Sequence, residues 1–355
     1  MPDEISPANE TLELFGHEAA ELAFLQAFRS GRMHHAWLIT GPAGIGKASF
    51  AFRAARYVLE HPDPLDVSLA LHSDLSVEPE SRAARLVAAG AHPNLLHLTR
   101  PYDEKNKRLK TVITIDEVRR TQGFFGSTAG QPGWRICVVD CADDLNSSAA
   151  NALLKNLEEP SDKGLYLIVC HNPGRILPTI RSRCRTLRLR SLERPAFDKT
   201  LASILQHNRK SVSPEDLDTT WAATRGSVGK ALIFLMSGGI DMARGFQSLT
   251  RNFPRLNRTD LHRFAQGLAG RGQDAEKTFD LFCDLAYEFA AERIRAPGPA
   301  LATKAALDAA ARSNAEIARD CRIYNFDRKQ AVIRMVETLA EAAVSPISHT
   351  NGHNK

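Results

Sequence analysis

The 355-residue chain has no apolar run approaching the roughly 20 residues that a membrane-crossing helix needs, which argues against a membrane span. It opens MPDEISPANETLE, acidic where a secretory signal would be basic and then apolar, so a cytoplasmic chain is expected. Cysteine is sparse. Six residues stand at 137, 141, 170, 184, 283 and 321, with no CxxC pair among them. A disulfide framework or a thiolate-ligated metal is usually announced by closer pairing, so reduced thiols and no metal are expected. An excess of charge of one sign is missing too: 46 Lys and Arg against 41 Asp and Glu leave +5, which permits nucleic-acid contact without establishing it. What is present, 43% hydrophobic and 25% charged residues over a length sufficient for two or three domains, is ordinary for a globular protein.

The first chemical signal is Gly41-Pro42-Ala43-Gly44-Ile45-Gly46-Lys47, set between the apolar run Trp37-Leu38-Ile39-Thr40 and a helical pattern from Ala48 to Leu59. GxxxxGK in that setting is a phosphate cradle: glycines let backbone N–H groups converge at a helix N-terminus, and the lysine meets the β- and γ-phosphates. The full signature has Ser or Thr after the lysine to hold Mg²⁺, and Ala48 stands there instead. Ser49 is a poor substitute, being turned about 100° round the helix. Gly41, Gly44, Gly46 and Lys47 are therefore candidate nucleotide contacts with one metal ligand missing. The neighbouring His34-His35 pair has no third ligand at suitable spacing and predicts no metal site.

The second signal runs from Arg135 to Cys184. Ile136 to Val139 is a short, mostly β-branched apolar run of the kind that fills a strand covered on both faces, and Asp140 closes it. In an open α/β sheet ligands bind at that strand edge, which makes Asp140 the candidate metal-binding acid of a nucleotide site. Ser147 or Ser148 is placed to cap a helix ending at Glu158, with Pro160 just beyond, and Leu165 to Cys170 repeats the buried-strand pattern. Elsewhere, Leu22, Leu25 and Phe28 predict one helical face near the N-terminus. Ile113 to Ile115 predicts a short strand entering a helix that Gly123 interrupts, and residues 102–110 predict a solvated loop. Beyond Leu192 no strand pattern is present, and Val332, Met335, Val336 and Leu339 mark a helical core face, as do Leu281, Leu285, Phe289 and Ile294.

The ordered motifs NALLKNLEEP (151–160) and LPTIRSRC (177–184) resemble the clamp-loader branch of the AAA+ ATPases, in particular the delta-prime subunits of bacterial DNA polymerase III. The resemblance implies an α/β P-loop (AAA+) domain with a parallel sheet over residues 1–192, a helical lid over 193–241 and an all-α collar for oligomerisation over 242–345. The unpatterned residues 346–355 are expected to be a disordered tail. It also implies that Arg183 reaches in trans, as an arginine finger, into a neighbouring subunit's ATP site. Three departures weaken this chain's own site: Asp140-Cys141 where a motor subunit carries Asp-Glu, Cys170-His171 at a threonine sensor position, and Gly229 where a lid arginine would meet the γ-phosphate. Residues 61–91 hold no cysteine, so the four-cysteine zinc module of many relatives is not expected. The expectation is thus an accessory subunit of a DNA-directed DNA polymerase (nucleotidyltransferase) holoenzyme that needs no cofactor and retains at most weak ATP or ADP binding. Its implied partners are motor and delta-like subunits, the sliding clamp and, through the complex, primer-template DNA. The rival is an autonomous ATP-hydrolysing AAA+ motor, which the intact Gly44-Ile45-Gly46-Lys47 keeps open.

Overall fold

The structure, a computed structural model, describes residues 7–105, 108–126, 133–208, 210–270 and 273–343, so the expected tail over 346–355 lies outside the described residues. The strands in chain order are β1 (Ala36–Thr40), β2 (Leu95–Leu98), β3 (Tyr102–Asp103), β4 (Arg108–Leu109), β5 (Arg135–Val139), β6 (Gly164–Cys170) and β7 (Arg185–Arg188). Five of them form a parallel sheet in the order β2-β5-β6-β1-β7, while β3 and β4 make a small antiparallel pair inside the stretch expected to be a loop. Every residue of β1 and β6 is buried, as continuous apolar runs covered on both faces require.

Alternate residues of these strands enter different cores. On one face Trp37, Ile39, Ile136, Val138, Leu165, Leu167 and Val169 join Phe24, Phe28, Phe50 and Tyr57 from the helices Glu18–Arg29 and Lys47–Glu60. On the other, Leu38, Cys137, Val139, Tyr166, Ile168 and Cys170 meet Leu153 and Leu157 of the helix Ser147–Glu158. The period-2 alternation of a strand is what separates the two sets.

Several local expectations are corrected. The cap of the helix Ser147–Glu158 is Asn146, whose side chain accepts a hydrogen bond from the Ala149 N–H at 2.8 Å, rather than Ser147 or Ser148. Ile113 makes only an isolated bridge to Leu145, and the helix Ile115–Gly126 runs through Gly123 without a break. Leu22 is exposed; Phe24, Leu25 and Phe28 carry the buried face of their helix.

The chain divides into two compact units, one comprising the chain up to Ser211 together with Gly226–Gly229, the other Val212–Arg225 and the chain from Lys230 onward. Among its described residues the second unit is helical, with long helices Gln273–Arg295, Leu301–Tyr324 and Arg328–Ala342. Its core combines aromatic contacts, the ring of Phe246 lying 5.8 Å from Phe282 and 5.5 Å from Phe289, with the buried side chains of Val332, Met335, Val336 and Leu339.

Candidate functional site

The parallel sheet brings the C-terminal ends of β1, β6 and β5 side by side, so the chain segments following each strand share one edge. Gly41, Gly44 and Gly46 after β1 have φ values of 147, 76 and 97°, a left-handed path that side-chain-bearing residues resist and that lets the loop curl tightly. Gly46 is the N-cap of the helix Lys47–Glu60, and the residue position that would offer a Mg²⁺ hydroxyl is Ala48 in its first turn.

Lys47 does not project into an open cradle. It is 3% exposed, and its Nζ donates to the carbonyl of Gly41 at 2.8 Å and to that of Pro42. Burial pulls its pKa below the ordinary lysine value, while the carboxylates of Asp143 and Asp140 pull the other way. The loop is held from two further sides. His17, buried against it, bonds through Nε2 to the Ile45 carbonyl at 2.7 Å. The Ser227 hydroxyl donates to the Ala43 carbonyl at 2.9 Å, and the Gly229 N–H donates to the Gly44 carbonyl at 2.8 Å. A Cβ at Gly229 would stand 2.8 Å from the Gly44 Cα, so the glycine is what permits this approach.

Asp140 closes β5; its N–H bonds the Leu98 carbonyl at 2.8 Å, and its carboxylate lies 4.0 Å from His97 Nε2. Where a catalytic acid would follow, Cys141 is buried, and burial followed by the Asp143 carboxylate pushes its thiol pKa far up, the opposite of what a water-activating base needs. The next residues hold a constellation that motif reading missed. The Cys141 thiol donates to Asp143 Oδ2 at 2.7 Å and lies 3.6 Å from His171 Nδ1. The backbone N–H groups of His171 and Asn172 clamp the two oxygens of Asp143 at 2.6 Å each. Residues 141 and 143 follow β5 and residue 171 follows β6; only the pairing of those strands makes them neighbours.

Arg183 stands apart from this cluster, after the short helix Pro178–Arg181. Its guanidinium donates to the Thr179 carbonyl at 3.0 Å and pairs with Glu158 at 2.8 Å, both side chains being more than a third exposed. Arg175, Arg181, Arg185, Arg188 and Arg190 are exposed as well, and the Arg185 guanidinium lies 4.8 Å over the Trp37 ring. The His34 and His35 rings stack at 4.6 Å, and each makes a hydrogen bond to a backbone carbonyl.

Comparison with known proteins identifies the family. The family model described as DNA polymerase III, delta subunit, matches residues 16–193, half of the chain. DNA polymerase III subunit delta' of Pseudomonas aeruginosa is 39% identical over 151 residues, covering 42% of this chain and 41% of that protein. The Escherichia coli K12 subunit of the same name is 32% identical over 160 residues, covering 45% of this chain and 43% of its own length. The matched region thus spans about two fifths of these curated relatives. DNA polymerase III subunit tau of Escherichia coli K12 is 26% identical over 222 residues, 62% of this chain and 31% of that protein. A nucleotide-type loop at the edge of a parallel sheet, the two ordered motifs that follow it and a family match over residues 16–193 lead to one assignment: the chain belongs to the DNA polymerase III delta subunit family, with delta-prime subunits among its relatives.

Proposed function

We propose that this chain is a non-hydrolysing, delta-prime-like subunit of a DNA polymerase III clamp loader, which helps ATP-bound partner subunits place a sliding clamp on primed DNA and offers Arg183 to a neighbour's ATP site. The observation that carries the first half is the position of Lys47. Its ammonium is satisfied by the carbonyls of its own loop, the groups that a phosphate would have to displace. Ala48 supplies no metal hydroxyl, and the thiol of Cys141 cannot prepare water. For the second half, a guanidinium keeps its charge at any working pH and presents a planar fork suited to charge building on a γ-phosphoryl group. The surface pair with Glu158 is of the exposed kind that contributes about 0–1 kcal/mol, small enough to be exchanged for a phosphate in a partner.

Steady-state ATPase measurement on the isolated full chain tests the first half. Turnover at background with and without Mg²⁺ is the expected result. Metal-dependent turnover abolished by Lys47→Ala would favour the autonomous motor instead.

A further inference from the structure

We propose that Cys141, Asp143 and His171 form a binding site for a zinc-class divalent transition metal, a site that the clamp-loader reading neither requires nor supplies. The three donor atoms, Cys141 Sγ, an Asp143 carboxylate oxygen and His171 Nδ1, all lie within 4.8 Å of one another. Thiolate, imidazole and carboxylate together are the donors that zinc, cobalt and nickel select, whereas magnesium and calcium prefer oxygen alone. With metal–ligand bonds of about 2.0–2.3 Å, a tetrahedral centre holds its donors about 3.3–3.8 Å apart. The 3.6 Å between Sγ and Nδ1 is already at that spacing. The 2.7 Å between Sγ and Asp143 Oδ2 is shorter because a thiol proton now bridges them; a metal taking that proton's place needs them to part by about 1 Å.

The surroundings are those of a prepared ligand set. Both Asp143 oxygens are oriented by backbone N–H groups at 2.6 Å, the kind of outer contact that fixes a ligating carboxylate. One thiolate and one carboxylate balance a double positive charge, so the occupied centre would be neutral. Cys141 is buried while His171 is exposed, which leaves the fourth position on the solvent side for water or an exogenous ligand. No pair of nearby cysteines announces the site, because its ligands come from loops after two strands that sequence separates by a helix.

Cobalt(II) titration of the chelator-stripped full chain, read by absorption, tests the proposal. One Co²⁺ per chain is expected, with a thiolate-to-cobalt charge-transfer band and the visible bands of tetrahedral coordination, both bleached by stoichiometric Zn²⁺. Cys141→Ser should abolish the charge-transfer band. Asp143→Asn and His171→Ala should each weaken binding by at least about tenfold, and Cys184→Ser should change nothing. Thermal melting of each variant establishes that it is folded; were Cys141→Ser unfolded, the Asp143 and His171 variants decide. Absence of the charge-transfer band in the native chain, its persistence in folded Cys141→Ser, or unchanged affinity in both other variants would overturn the proposal.

Discussion

His17 shows how one side chain ties this loop to its surroundings and to pH. Its imidazole is buried and bonds the Ile45 carbonyl at 2.7 Å, an arrangement in which the neutral ring donates through Nε2. Burial lowers its pKa below the ordinary value of 6.5, opposed by the Ile45 bond and by the charges of Glu18 and Glu21, and aided by Lys47. At pH 8 the ring is neutral in both folded and unfolded chains. As pH falls past about 6.5 the unfolded chain takes up the proton first, so stability present above that value is lost as pH drops through the lower folded value. His35, His92 and His97 are shifted in the same direction by burial and add to the effect. Melting temperature should therefore fall between pH 7.5 and 5.5, and His17→Gln, which retains a donor for Ile45, should reduce that slope. An unchanged slope in His17→Gln would show that the other histidines account for all of it.

At the scale of elements, the contact of Gly226–Gly229 with the glycine-rich loop after β1 depends on the absence of a side chain. Gly229→Ala would set a Cβ 2.8 Å from the Gly44 backbone and push apart the pair that shares a 2.8 Å hydrogen bond. Overpacking against backbone costs about 1–3 kcal/mol. Ser227→Ala, which removes the bond to Ala43 without adding bulk, should cost about 1 kcal/mol. Urea denaturation of both variants should thus rank Gly229→Ala as the more damaging; the reverse order would mean that the loop yields freely at Gly44. This closure was not legible in the sequence. Gly229 reads there as a lost phosphate contact, and it takes the folded chain to show that the space a longer side chain would occupy is filled by the loop itself.

For the whole molecule, the discriminating residue is Arg183. Both Arg183→Ala and Glu158→Ala break the same exposed ion pair, so each should shift the stability of this chain by at most about 1 kcal/mol and leave assembly with partners intact. Their effects on a reconstituted loader should differ. Removing the guanidinium should lower ATP hydrolysis and clamp loading, by less than the 10³ to 10⁵ that a finger contributes at a single site in the GTPase case, since other sites continue to turn over. Removing Glu158 leaves the guanidinium in place and should spare both rates. Arg183→Lys should rescue poorly, because an ammonium lacks the planar fork. Equal losses from Arg183→Ala and Glu158→Ala would assign the arginine to bracing its own domain.

The buried strands, the glycine-lined turn between the first strand and its helix, and the residues Ala48 and Cys141 that stand at the next positions were readable from the chain, because each is a local matter: period-2 burial, glycine placement, the identity of the next residue along. The helix cap was placed one or two residues too late, at Ser147 or Ser148, since these and Asn146 are all competent caps and only the backbone path selects among them. What folding alone decided is which distant segments meet. Parallel pairing of β5 with β6 sets Cys141 and Asp143 beside His171. The left-handed turns of the loop aim its carbonyls at Lys47, and the approach of Gly229 closes the far side. Sequence encodes the preference of each segment for strand, turn or helix; the neighbours across a sheet edge follow from the order in which strands pack to bury two apolar faces at once, and no single segment carries that order.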